Sequence, residues 1–238
     1  MKLAGSTALV TGSNRGIGAQ FATERLRRGG QGVRHGPTAR ARRYPGREVL
    51  RLDILDPVSV RSAAEIAGDV DILINNAADT AGGNLVTGDL EAVRRVMESN
   101  YFGTLNVIRA FAPVLARNGG GAIVNVLSAA AWLTVDGNTA YAAAKSAEWG
   151  GLTNGVRVEL AGQGTQVVGL MPGLIGTETL LDFARSAGIE FPRRRGHRTG
   201  RPRRAGPRWA GSRRYRDRRR DRAAGQATLS GPPQAFAL

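Results

Sequence analysis

The chain contains no cysteine and only two histidines, His35 and His197, in 238 residues. Disulfides and thiolate metal sites are therefore excluded. A histidine-based metal centre or a Ser-His-Asp triad has little to draw on, so no metal site is expected. No run of 18 or more apolar residues occurs, so no membrane span is expected. The opening MKLAGSTALVTG has one lysine and an apolar run that soon meets a glycine. That is a poor export signal, and a cytoplasmic protein without a membrane partner is expected. Acid is also scarce locally: no Asp or Glu lies between Glu24 and Glu48.

Positive charge is abundant, with a formal net charge of +15, but it is unevenly spread. Residues 48–191 hold nine basic and sixteen acidic residues. The basicity sits in two blocks. Residues 31–47 have five Arg and no acid, and residues 192–238 have fifteen Arg and two Asp.

Between the blocks, apolar runs alternate with helical patterns. Strands are expected at Thr7–Thr11, Glu48–Ile54, Asp71–Asn75, Ala122–Leu127 and Gln166–Met171. Helices are expected at Ile17–Arg28, Pro57–Ala67, Asp89–Arg117 and Thr139–Leu160. Strands apolar on both faces and separated by helices imply an α/β protein of Rossmann type. That is one domain with a three-layer, doubly wound parallel sheet, followed by an atypical Arg-rich C-terminal segment. The second strand of such a unit should fall within 29–47, yet the only aliphatic residue there larger than Ala is Val33.

Thr11-Gly12-Ser13-Asn14-Arg15-Gly16-Ile17-Gly18 lies between a strand and a helix. Its glycines allow a sharp turn and close approach of backbone to a pyrophosphate, with a helix N-terminus behind. A plain glycine turn has the same spacing; the strand–loop–helix setting favours a dinucleotide. The missing acid and Arg15 in the loop lean toward NADP(H) over NAD(H).

Tyr141 and Lys145 stand four apart on one helix face. A free phenol ionises near pH ~10, and a neighbouring cation favours the phenolate. Tyr141 can then trade a proton with an alcohol while hydride moves to or from a nicotinamide. In isolation such a pair is usually helix surface. Ser128, at the carboxyl end of a strand, can hydrogen-bond the same substrate oxygen, or it can simply cap a turn.

Taken in order, these residues resemble the short-chain dehydrogenase/reductase family over residues 5–190. TGSNRGIG resembles the family's glycine motif, which points to Gly12, Ser13, Arg15, Gly16, Ile17 and Gly18 as cofactor contacts. Asp53, followed by Ile54, resembles the acid at the adenine. Asn75-Asn76-Ala77-Ala78 resembles the family's Asn-Asn-Ala-Gly, and places Asn75 and Ala77 beside the cofactor. Asn100 resembles the catalytic Asn of the long helix. Pro172-Gly173-Leu174-Ile175-Gly176-Thr177 resembles the loop at the nicotinamide carboxamide, through Pro172, Gly173, Ile175 and Thr177.

The resemblance implies an alcohol/carbonyl oxidoreductase acting on a small alcohol or ketone, with Tyr141 as general acid/base. Lys145 would lower its pKa and bind ribose hydroxyls. Ser128 would orient the substrate, and Asn100 would hold a water. The resemblance also implies a homo-oligomer paired through the helix of Trp149. Trp132, Leu133 and Val135 read either as substrate-pocket lining or as packing. Asn75 reads also as a tie between strands.

The family's second strand and substrate lid fall in the two basic blocks. Of residues 192–225, 27 of 34 are Arg, Gly, Pro or Ala. Three readings compete for residues 191–225. One is a nucleic-acid arm with Trp209 and Tyr215 to stack on bases. Another is a solvating tail. The third, favoured here, is out-of-frame translation of GC-rich DNA. It applies to 29–47 as well, with ordinary sequence resuming at Glu48 and in the tail 226–238. Against the enzyme stand two alternatives: a protein that binds cofactor without turnover, and a basic nucleic-acid-associated protein.

Overall fold

The computed structural model describes residues 4–36 and 47–173, with the side chains of 31–36 and 47–48 left aside. All of these belong to the compact unit Met1–Phe191. The Arg-rich block, the tail 226–238, and Ile175 and Thr177 of the expected carboxamide loop lie outside the described residues.

Six parallel strands form one sheet in the order β3-β2-β1-β4-β5-β6. They are β1 (Thr7–Val10), β2 (Gln31–Gly36), β3 (Arg47–Arg51), β4 (Val70–Asn75), β5 (Gly121–Val126) and β6 (Thr165–Leu170). The helices are α1 (Gly16–Arg27), α2 (Pro57–Ile66), α3 (Leu90–Met97), α4 (Thr104–Arg117), α5 (Thr139–Ala147) and α6 (Asn154–Glu159). The strand order reverses between β1 and β4. In open α/β sheets that reversal opens a crevice at the carboxyl ends of the strands, where ligands bind.

The apolar runs explain the layers. Successive residues of a strand point to opposite faces. On β1, Ala8 and Val10 join Ile72, Ile74 and Val126 on one face. Leu9 joins Leu73, Ile123 and the α4 residues Val107, Ile108 and Phe111 on the other. Both faces are therefore dry, which is why these strands read as continuous apolar runs. Asp56 caps α2, its carboxylate accepting from the Val58 amide at 2.9 Å, with Pro57 at the first helical position. Asp89 caps α3 in the same way, through the amides of Glu91 and Ala92.

One finding agrees with the place that the resemblance gives the second strand, and another departs from the expected helices. First, a strand does form within the basic block. β2 pairs with β1 through Leu9↔Val33 and with β3 through Arg34↔Val49. A ladder uses backbone N–H and C=O groups, which the sequence QGVRHG supplies as well as any other. Second, each of the two long helices is interrupted by a wider, π-helical turn. Glu98–Gly103 separates α3 from α4, and Glu148–Thr153 separates α5 from α6. Such turns are rare and often mark functional sites. Here one contains Asn100 and the other begins three residues after Lys145.

Candidate active site

The glycine loop leaves β1 and enters α1 at Gly16. Gly12 has φ +64° and Gly16 φ +55°, a region that glycine adopts without strain. At Gly12 and Gly18 the loop is packed too tightly for a side chain. A Cβ on Gly18 would lie 2.5 Å from the Gly12 carbonyl oxygen, and one on Gly12 would lie 2.9 Å from the Ala77 Cα. Thr11 and Asn76 fasten the loop to the end of β4. Thr11 Oγ1 accepts the amides of Asn76 and Ala77 at 2.9 and 3.0 Å. Asn76 Nδ2 donates to the carbonyls of Thr11 and Gly12 at 3.0 and 3.2 Å.

α1 starts without a side-chain cap and without acid in its first turn. Its N-terminal amides and dipole thus face the crevice unopposed by a carboxylate, as an anion site requires. Arg15 is exposed at this end. A tight glycine turn leading into a helix without a side-chain cap fits the pyrophosphate of a dinucleotide.

Beyond β3, Asp53 is exposed and its Oδ1 accepts the Leu55 amide at 3.0 Å. The Ile54 side chain belongs to the core and fills the space where a Cβ on Gly103 would stand. Asn75 is buried, and its Nδ2 donates to Asn125 Oδ1 at 2.8 Å, tying β4 to β5. Asn125 Nδ2 continues to Thr153 Oγ1 at 3.0 Å, and the Thr153 hydroxyl donates to the Glu148 carbonyl at 2.7 Å. A buried polar chain therefore runs from the floor of the crevice to the turn after Lys145.

Of the expected catalytic residues, Asn100 is bonded to the segment after β4, Lys145 to the end of β5, and Ser128 follows β5. Ser128 follows β5, and its Oγ accepts the Ala130 amide at 3.1 Å as the cap of a short turn. That leaves the hydroxyl proton to donate. Tyr141 is half-buried on α5. Lys145 Nζ lies 5.9 Å from the Tyr141 ring centroid. It donates to the Val126 carbonyl at 3.1 Å and to Glu148 Oε2 at 2.6 Å. Burial pushes the Glu148 carboxyl above the usual carboxylate range, against the pull of Lys145. Asn100 Nδ2 donates to the carbonyls of Asp79 and Val96 at 2.7 and 2.8 Å, while its buried Oδ1 has no partner. Pro172 O accepts the Ala129 amide at 2.9 Å, which sets the Pro172-Gly173 end of the last loop beside Ser128. Trp132, Leu133 and Val135 are all exposed next to this cluster in sequence, with Trp132 edge-on to Trp149 at 6.3 Å between centroids.

Residues 6–186 match the family model described as short chain dehydrogenase. The chain belongs to the short-chain dehydrogenase family. Among this family's members, oxidoreductase UcpA of Salmonella typhimurium is 32% identical over 204 residues, covering 80% of this chain and 77% of the relative. Sorbitol dehydrogenase of Cereibacter sphaeroides is 33% identical over 189 residues, covering 75% and 73%. Among solved structures, a short-chain dehydrogenase from Burkholderia cenocepacia J2315 in complex with NADP superposes with a TM-score of 0.74 at 36% identity. That match covers 81% of this chain and 79% of the other. This short-chain dehydrogenase is accordingly an oxidoreductase with a nicotinamide-dinucleotide fold.

Two residues of the site escaped the sequence reading. Asn76 stands inside a motif that was noticed, but its work as a clasp on the glycine loop shows only in three dimensions. Glu148 carried a faint signal, its spacing of three from Lys145.

Proposed function

We propose that the chain interconverts a small alcohol and the matching ketone or aldehyde, with NADP(H) preferred over NAD(H) and Tyr141 as the general acid/base. The observation that supports this reading best is Lys145, buried at the end of β5 with its Nζ 5.9 Å from the Tyr141 ring, on the same sheet as the tight glycine loop after β1. A bound nicotinamide dinucleotide supplies or accepts the hydride there. Gly12, Ser13, Gly16, Ile17 and Gly18 would hold its pyrophosphate, and Asp53, Ile54, Asn75 and Ala77 would line the adenosine side. Pro172 and Gly173 would border the nicotinamide.

In oxidation, the Tyr141 phenolate takes the hydroxyl proton of the alcohol; in reduction, the phenol returns it to the carbonyl oxygen. The Ser128 hydroxyl donates to that same oxygen and fixes its distance from Tyr141. Lys145 stands beside the phenol, with Nζ 5.9 Å from the ring centroid, and would bind the ribose hydroxyls of the cofactor. Asn100 Oδ1, buried without a partner, is suited to accept from a water at the base of the site. Arg15, exposed at the start of α1, would meet a ribose 2′-phosphate.

The reading extends to a cytoplasmic enzyme that works as a homo-oligomer without a nucleic-acid partner. Among the described residues no helix is long and apolar enough to cross a membrane. The test is a fluorescence titration with NADPH and NADH, followed by turnover of a panel of ketones and aldehydes with the bound cofactor. Saturable NADPH binding with turnover supports the reading. Binding without turnover of any carbonyl favours a cofactor-binding protein instead. Absence of cofactor binding together with salt-dependent nucleic-acid binding favours the basic-arm reading.

A further inference from the structure

Glu148 has no part in the chemistry above, yet its side chain is 1% exposed, as is that of Lys145. The carboxylate is held on both oxygens. Oε2 accepts from Lys145 Nζ at 2.6 Å, and Oε1 accepts from the Thr104 hydroxyl at 3.4 Å. The Glu148 carbonyl is held as well, by Thr153 at 2.7 Å. The wide turn Glu148–Thr153 begins at this residue. Held at carboxylate and backbone in a buried position, the carboxylate keeps its place beside the ammonium.

A cation stabilises a nearby phenolate through its field at the phenol oxygen. A carboxylate in contact with that cation converts a single charge into a dipole, whose field decays faster with distance. Lys145 Nζ is 2.6 Å from Glu148 Oε2 but 5.9 Å from the Tyr141 ring centroid. We propose that Glu148 is a positioning residue: it holds Lys145 against β5 and offsets most of the lysine's charge as Tyr141 feels it, so that the pair, rather than Lys145 alone, sets how readily the phenol ionises. The inference rests on Tyr141 being the acid/base of the proposed function.

The surroundings leave the pair dominant. Elements packed against α5 include α3 and the wide turn Glu98–Gly103. They bring Glu91, Arg94, Arg95 and Glu98, all exposed, and the half-buried Tyr101. Exposed charges act through solvent and are screened. Thr104 and the Val126 carbonyl touch the pair but carry no charge.

The experiment is a pH titration of phenolate absorbance on the full chain, which needs no turnover. Subtracting the Tyr141→Phe variant isolates Tyr141 from the other three tyrosines. Glu148→Gln keeps an acceptor for Nζ and removes only the charge; the Tyr141 midpoint is expected to fall by about one pH unit. The double variant Lys145→Met/Glu148→Leu replaces a buried ion pair with apolar groups of similar volume, a change that folds commonly tolerate. Its midpoint is expected within about half a unit of the unaltered chain. An unchanged or raised midpoint in Glu148→Gln overturns the proposal. A midpoint about a unit or more higher in the double variant also overturns it, because Lys145 would then be acting unopposed. If Glu148→Gln does not fold, the double variant decides alone. Turnover separates the two levels. A dead Tyr141→Phe with no shift in Glu148→Gln sinks this inference only, whereas an active Tyr141→Phe sinks the function on which it rests.

Discussion

Thr11 Oγ1 accepts two consecutive backbone amides, those of Asn76 and Ala77, at 2.9 and 3.0 Å. One hydroxyl thereby locks the end of β1 to the end of β4, at the reversal of strand order where the crevice opens. Thr11→Val keeps the shape and removes the acceptor. Two part-buried amides lose their partner, at a cost of about 1–3 kcal/mol in stability. Thr11→Ser should recover most of it. Denaturant unfolding of the two variants checks the claim, and equal losses in both would show that the methyl group matters instead.

The glycine cradle makes a steric prediction. A Cβ on Gly18 meets the Gly12 carbonyl oxygen and Asn76 Nδ2, both at 2.5 Å. The first of these is backbone and cannot swing aside. Gly18→Ala should cost about 1–3 kcal/mol in stability and, by displacing the loop, weaken NADPH binding at least about tenfold. Unchanged affinity in a titration would show that the loop does not carry the pyrophosphate.

Arg15 is expected to select the phosphorylated cofactor. Arg15→Ala should weaken NADPH binding by about tenfold, as expected for loss of a charge-assisted contact to phosphate. NADH should be little affected. Equal losses for both cofactors would place Arg15 at the shared pyrophosphate rather than at the 2′-phosphate.

Much of this fold was legible because the sheet is covered on both faces. TALVT, DILIN and AIVNVL read as strands since each is apolar on both sides, and their ends fell within a residue of the observed ones. β2 was not legible as a core strand, because Val33 is its only large aliphatic residue and backbone pairing leaves no mark in composition. The wide turns were hidden for a different reason. The apolar spacing runs on through Asp89–Arg117, and one extra residue in a turn shifts it too little to notice. Of the candidate site, Tyr141, Lys145, Ser128 and Asn100 were proposed from residue type and order together with the family resemblance. Glu148 was not, because an acid three residues from a lysine is ordinarily a solvated surface pair, and its burial shows only in three dimensions.

The composition of the two basic blocks makes a prediction about the gene. The family match ends at residue 186, just before the Arg-rich block begins. Sequencing of the coding DNA should find compensating insertions or deletions flanking codons 31–47 and 192–225. An uninterrupted frame in independent isolates would defeat the out-of-frame reading and return the Arg-rich block to a tail or nucleic-acid arm.

The central claim is that Tyr141 transfers the proton while the glycine cradle holds the cofactor, and Tyr141→Phe tests it most directly. The substitution removes one hydroxyl from a half-buried ring and leaves Gly12, Gly16 and Gly18 untouched. Turnover of a carbonyl substrate with NADPH should fall by at least about a hundredfold. NADPH affinity, measured on the same preparation, should stay within about threefold, less than the 1.4 kcal/mol of a tenfold change. A variant that retains most of its kcat would contradict the account.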